Sequence, residues 1–158
     1  MELLSIFEWL DTSILADISK AYGGVFAVVQ MVHLVSLALL GGAVLITDLR
    51  LLGLVLRDVP SEVVASNMDR WFTLALIVMA ISGIFMSSAV AIKLYFNEMF
   101  WAKMIGLSVG TLFVYFVKRP LLAHPHDTIN VWALRLLAIS SIAIWFTVAA
   151  SGRWIGFS

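Results

Sequence analysis

The 158 residues are 62% hydrophobic and only 13% charged, with a mean hydropathy of +1.03. A soluble domain carries about a quarter charged residues, so this chain has too little charge to coat a water-soluble globule and reads as an integral membrane protein. Ten Lys and Arg balance ten Asp and Glu, which argues against nucleic acid as a partner, and the lack of Cys removes disulfides, Fe–S clusters, thiolate metal sites and covalent haem attachment.

The first element is amphipathic. Over residues 1–18, Leu3, Leu4, Phe7, Leu10, Ile14, Leu15 and Ile18 recur at helical spacing, while Glu2, Glu8, Asp11 and Asp17 lie largely off that stripe. This pattern predicts a helix in the membrane interface, with Trp9 at headgroup depth. It lacks the basic start and small-residue cleavage site of a signal peptide, so the segment is expected to be retained.

Four apolar stretches of spanning length follow, at about residues 22–46, 71–92, 99–117 and 129–150. Each is near the roughly 20 residues a helix needs to cross the hydrocarbon core. Unpaired backbone groups are forbidden in lipid, and period-2 alternation is absent, so helices and not barrel strands are expected. Pro60 or Ser61 is placed to start a short helix before the second span, and Arg119-Pro120 marks the loop after the third. Short connections favour antiparallel neighbours. The fold class expected is all-α: a single membrane domain over 1–158, built as an up-down four-helix bundle with an N-terminal interfacial helix.

The basic residues set an orientation. Arg50, Arg57, Arg70, Lys118, Arg119 and Arg135 flank the first and third loops, whereas Lys20, Lys93 and Arg153 lie at the other side. The positive-inside rule then puts loops one and three in the cytoplasm and both termini outside.

Ionisable groups in hydrocarbon cost about 2.5–3.5 kcal/mol on insertion scales, so each one needs a reason. His33, Lys103 and Arg135 stand out. His33 sits near the middle of the first predicted span, and Gln30 shares its face. Such a His can ligate haem iron or a metal, relay protons, or bond a neighbouring helix. Lys103 either snorkels to the interface or anchors an anionic group at the bundle mouth. Gly106 and Gly110 share its face, suiting close helix packing or a flat strip for a planar macrocycle. Arg135 marks the entrance of the fourth span or pairs with Asp48, which ends the first span in a polar cluster with Thr47 and Arg50.

Met79 and Met86, seven apart, are core filler or soft ligands that could join His33 at haem iron or copper. His124, His126 and Asp127 form a His-Pro-His-Asp loop, a weaker metal candidate. With one His at membrane depth, a bis-His haem within one chain is excluded.

Val32-His33-Leu34-Val35, Asp48-Leu49-Arg50-Leu51-Leu52, Ser82-Gly83-Ile84, Trp101-Ala102-Lys103-Met104 and Ser151-Gly152-Arg153 resemble an uncharacterised family of small four-helix bacterial membrane proteins. More distantly the pattern is similar to the haem-b membrane protoporphyrinogen oxidases and to the membrane domain of the copper-resistance D family. In the oxidases a first-helix His and a third-helix Lys are essential, and the resemblance implies those places for His33 and Lys103. The aromatic and Pro-Arg signature after the first-helix His is absent here, and no second His stands near Val55, so the resemblance implies haem binding more than the oxidase reaction. The expectation is a haem-b protein of electron transfer or oxidation, with His33 as ligand, Gln30 orienting it, Gly106 and Gly110 making room and Lys103 or Arg135 balancing propionates. The alternatives are a copper or other metal-ion component using His33 with Met79 and Met86, and a non-catalytic subunit of a membrane complex or homo-oligomer.

Overall fold

A computed structural model describes residues 2–123 and 130–157. Among these residues the chain is helical and contains no strand. The amphipathic start is two helices and not one: α1 (Glu2–Asp11) and α2 (Ile14–Ala21). The break falls at Thr12-Ser13, where the Ser13 hydroxyl accepts from the Ala16 amide as an N-cap. α1 packs on the short α5 (Ala91–Tyr95), with Phe7 against Tyr95, Phe100 and Trp101.

Four helical segments are long and apolar enough to cross a membrane, at Gly23–Leu51, Ser61–Ser88, Glu98–Leu122 and Val131–Phe157. Their outward faces carry Leu34, Ile77, Ile105, Phe146 and many other exposed apolar side chains, the surface that lipid covers and water does not. The protein is a multi-pass membrane helical bundle. α3 (Gly23–Leu51) pairs with α4 (Ser61–Ser88), α6 (Glu98–Phe113) pairs with α8 (Val131–Trp154), and α3 also packs on α8. One end of the bundle gathers both chain termini and α5, where the Asn97 amide donates to the Ile155 carbonyl. The other end carries the α3–α4 connection.

Two of the boundaries that differ from those the sequence predicts bear on the polar residues. α4 begins at Ser61, right after Pro60, and runs unbroken through Asp69 and Arg70; there is no separate short helix. The third span does not stop before Arg119-Pro120. It passes through a π-helical turn (Val114–Lys118) into α7 (Arg119–Leu122). Pro120 has no amide hydrogen, and its ring crowds the carbonyl four residues back. The widened turn before it, closed by the Arg119 amide on the Val114 carbonyl, absorbs that conflict and lets the helix continue.

The apolar core lies mid-bundle. Leu40, Val44, Phe72, Met79, Trp145 and Val148 are buried together, with Phe72 edge-on to Trp145 at 5.4 Å. Polar residues gather on both sides of this plug: His33, Ser82 and Lys103 towards the termini, and Asp48, Lys118 and Ser141 towards the α3–α4 connection. The connection is tied down by Arg50, whose Nε donates to the Val59 carbonyl at 2.7 Å and whose Nη2 donates to the Arg57 carbonyl.

Candidate functional site

Because α3 runs to Leu51, His33 lies in the terminal half of the bundle and not at mid-span. It faces inward and is buried. Its Nδ1 is 2.9 Å from Ser82 Oγ on α4. Ser82 Oγ also lies 2.7 Å from the Val78 carbonyl and 3.2 Å from that of Met79, acceptors on its own helix. When the hydroxyl donates to its own helix, it accepts from the Nδ1–H tautomer of His33, which leaves the lone pair on Nε2. Gly83 permits the ring to lie this close: a Cβ there would stand 3.4 Å from His33 Cε1.

Lys103 enters from α6, and its stem crosses Gly152 of α8, where a Cβ would meet its Cδ and Cε at 3.5 Å. Among the described residues no carboxylate or other side chain pairs with its ammonium. An imidazole anchored through Nδ1 and a cation with no carboxylate beside it thus share one half of the bundle, held by α3, α4, α6 and α8. Such a pair can donate nitrogen to a Lewis acid and balance an anionic group.

The other candidates are placed as follows. Gln30 is exposed on the outer side, and Ser82 is the residue bonded to the ring. Gly106 and Gly110 face α8: a Cβ at Gly106 would lie 3.0 Å from Val148, and one at Gly110 would lie 3.1–3.3 Å from Ile144 and Trp145. Helix packing fills that strip. Met79 brings its carbonyl to the His33–Ser82 contact, while its side chain sits in the core; Met86 is half-buried near the end of α4. Arg135 does not reach Asp48. It is exposed in the first turns of α8, with its guanidinium 5.3 Å from the Trp132 ring centre. His124, His126 and Asp127 lie outside the described residues. Among the described residues no three His, Cys, Asp or Glu converge as a metal-binding group.

A second polar cluster is hidden in the sequence. Lys118, which reads as a loop-flanking cation, is buried at 5% exposure and donates from Nζ to Asp48 Oδ1 and, at 3.4 Å, to Ser141 Oγ. Asp48 is fully buried, and its carboxylate also has the Ser141 hydroxyl beside it. Next along the chain, Arg119 pairs with Asp69, donates from Nη2 to Thr73 Oγ1 at 2.7 Å and stacks 3.7 Å over the Tyr115 ring. Lys118 is the last residue of the π-helical turn and points inward beside Asp48. Only the adjacency of Lys118 to Pro120 hints at such a turn.

Residues 6–158 match the family of unknown function designated DUF6644. The chain belongs to that family. Neither the curated proteins nor the solved structures include a match to it. The uncharacterised family that the sequence resembles is thus shown, over nearly the whole length of the chain.

Proposed function

We propose that this DUF6644 member is a haem-b-binding integral membrane protein of electron transfer or oxidation, in which His33 would hold the iron. The observation that carries the reading is the chain His33–Ser82–Val78: a Ser82 hydroxyl that donates to its own helix receives Nδ1–H and leaves Nε2 as the ligating atom. Metal-ligating histidines characteristically direct their other nitrogen to such an anchoring partner. The uncompensated Lys103 ammonium in the same half of the bundle fits a cofactor that carries carboxylates. These are also the two residues that the likeness to the haem-b protoporphyrinogen oxidases implies. Haem, when bound, supplies one-electron redox chemistry. The chain's own part is to hold the iron through His33, to fix the tautomer through Ser82, to balance a propionate through Lys103 and to keep water out with the lipid-facing helices. In this reading Gln30 and Arg135 are peripheral, and Gly106 and Gly110 stiffen the α6–α8 pair instead of seating the macrocycle.

The orientation follows the charge bias. Lys118 is neutralised inside the bundle, which leaves Arg50, Arg57, Arg70, Arg119 and Arg135 at the α3–α4 end against Lys20, Lys93 and Arg153 at the other. We place the α3–α4 end in the cytoplasm of a bacterium and both termini outside.

The expected result is a red purified protein whose Soret band shifts on reduction. His33→Ala abolishes that band while the helical circular dichroism persists. Ser82→Ala retains the haem with about 10–100-fold weaker affinity, the usual consequence of losing a ligand's anchoring partner. A His33→Ala protein with full Soret absorbance overturns the assignment. Colourless protein with stoichiometric copper transfers His33 to the metal-ion reading, and colourless, metal-free protein that co-purifies with a complex points to a structural subunit.

A further inference from the structure

The α3–α4 end of the bundle holds a cavity of about 220 Å³ between α3, α4 and the π-helical turn with α7. Its walls are mainly apolar, from Val44, Phe72, Val114 and Leu122, with Lys118 and Arg119 on one side. Beside it lies an open groove of about 460 Å³ on the lipid face of α3 and α4, lined by Val35, Leu39, Gly42, Ile46 and Trp71. Cavity and groove share Ala43 and Met68 as walls. A pocket with hydrogen-bond donors therefore adjoins a wholly apolar channel open to lipid.

The chemistry of the walls selects the head that fits. Lys118 Nζ has three hydrogens, two of them directed to Asp48 and Ser141. Arg119 pairs with Asp69 by charge, without a hydrogen bond from Nε, and donates from Nη2 to Thr73, which leaves Nη1 its own two hydrogens. The hydroxyl hydrogens of Thr47 and Ser66 are spent on the Ala43 and Val63 carbonyls. Besides the carboxylates of Glu62 and Asp69, the walls hold donors on Lys118 and Arg119, and these suit a head that carries acceptors. An anion gains little here, because the two cations face three carboxylates, Asp48, Asp69 and Glu62. A neutral ring with carbonyl oxygens gains the hydrogen bonds without that repulsion and stacks on apolar walls. A second copy of the chain can cover the groove, but a flat helix face leaves the donor-bearing cavity unfilled.

We infer that this cavity and groove together form a binding site for a neutral carbonyl-bearing amphiphile of the isoprenoid quinone class, its ring in the cavity beside Lys118 and Arg119 and its chain along Gly42. The site lies on the far side of the apolar plug from His33 and stands whether or not a cofactor binds there.

The test titrates a decyl-substituted benzoquinone into the full chain in phosphatidylcholine nanodiscs and follows quenching of tryptophan fluorescence, with Trp71 on the groove wall. Gly42→Leu fills the groove and is expected to leave the fold intact, since nothing lies within 4 Å of a Cβ there. Ala65→Phe fills the cavity. Each should weaken binding at least about tenfold, the scale of a steric block in a fitted pocket. Quenching unchanged by Gly42→Leu overturns the inference, as does displacement of the quinone by equimolar decyl phosphate. Loss of a crosslinked dimer in Gly42→Leu with quinone affinity unchanged assigns the groove to a second copy instead. A colourless protein that still binds the quinone refutes the haem reading and leaves this one standing.

Discussion

Replacing Lys118 by methionine is expected to cost about 3–5 kcal/mol of stability. The reason lies in what remains. Asp48 is fully buried, and Lys118 is the cation on its Oδ1. Without the ammonium, a carboxyl is stranded between α3, α8 and the π-helical turn, where neither water nor lipid headgroup solvates it. The pair itself need not be a net source of stability, because desolvating two charges offsets most of their attraction. The double variant Asp48→Leu with Lys118→Met, similar in volume and wholly apolar, should therefore recover most of the loss. Unfolding of purified protein in mixed micelles under increasing dodecyl sulfate measures both. A single-variant loss below about 1 kcal/mol would show that the carboxyl finds another partner, and additive losses would show no coupling.

That pair also shows what a sequence yields and what it withholds. The four spans are legible because lipid demands long apolar runs, and the runs are there. Their ends are less legible, because polar residues that face inward read as loop. Asp69 and Arg70 break the apolar pattern before residue 71, yet α4 passes straight through them, since Asp69 pairs with Arg119 across the bundle. Pro120 reads as a stop, but a widened turn carries the helix past it. Ser13 is an N-cap signal inside what periodicity alone reads as one helix. His33 is conspicuous because an imidazole is costly in hydrocarbon, whereas its partner Ser82 is inconspicuous, because hydroxyls satisfy themselves on their own helix and are common in spans. Charge alone matches Asp48 to Arg135. The true partner, Lys118, ends a π-turn that no hydrophobic period encodes.

Gly110→Ala is the second substitution with a large expected effect, about 1–3 kcal/mol of destabilisation, in a position where alanine ought to help a helix. Relative to glycine, alanine favours a helix interior by roughly 0.5–1 kcal/mol. At Gly41, where a Cβ meets nothing within 4 Å, that gain should appear undiminished. At Gly110 the added carbon would stand 3.1 Å from Ile144 Cγ2 and 3.2 and 3.3 Å from two atoms of the Trp145 indole. A flexible chain would yield, but the indole is a rigid plate with Phe72 edge-on against it at 5.4 Å, and Ile144 is β-branched. The strain therefore passes to the α6–α8 contact, which in lipid has no hydrophobic driving force of its own and depends on close packing. Trp145→Phe, which trims the indole but leaves Ile144 Cγ2 in place, should make Gly110→Ala less costly than it is in the native background without making it neutral. Thermal midpoints of the two single variants, the double variant and Gly41→Ala in the same detergent decide the matter. Equal effects at Gly41 and Gly110 would mean that α6 and α8 are not held at the distance at which Gly110 touches Trp145.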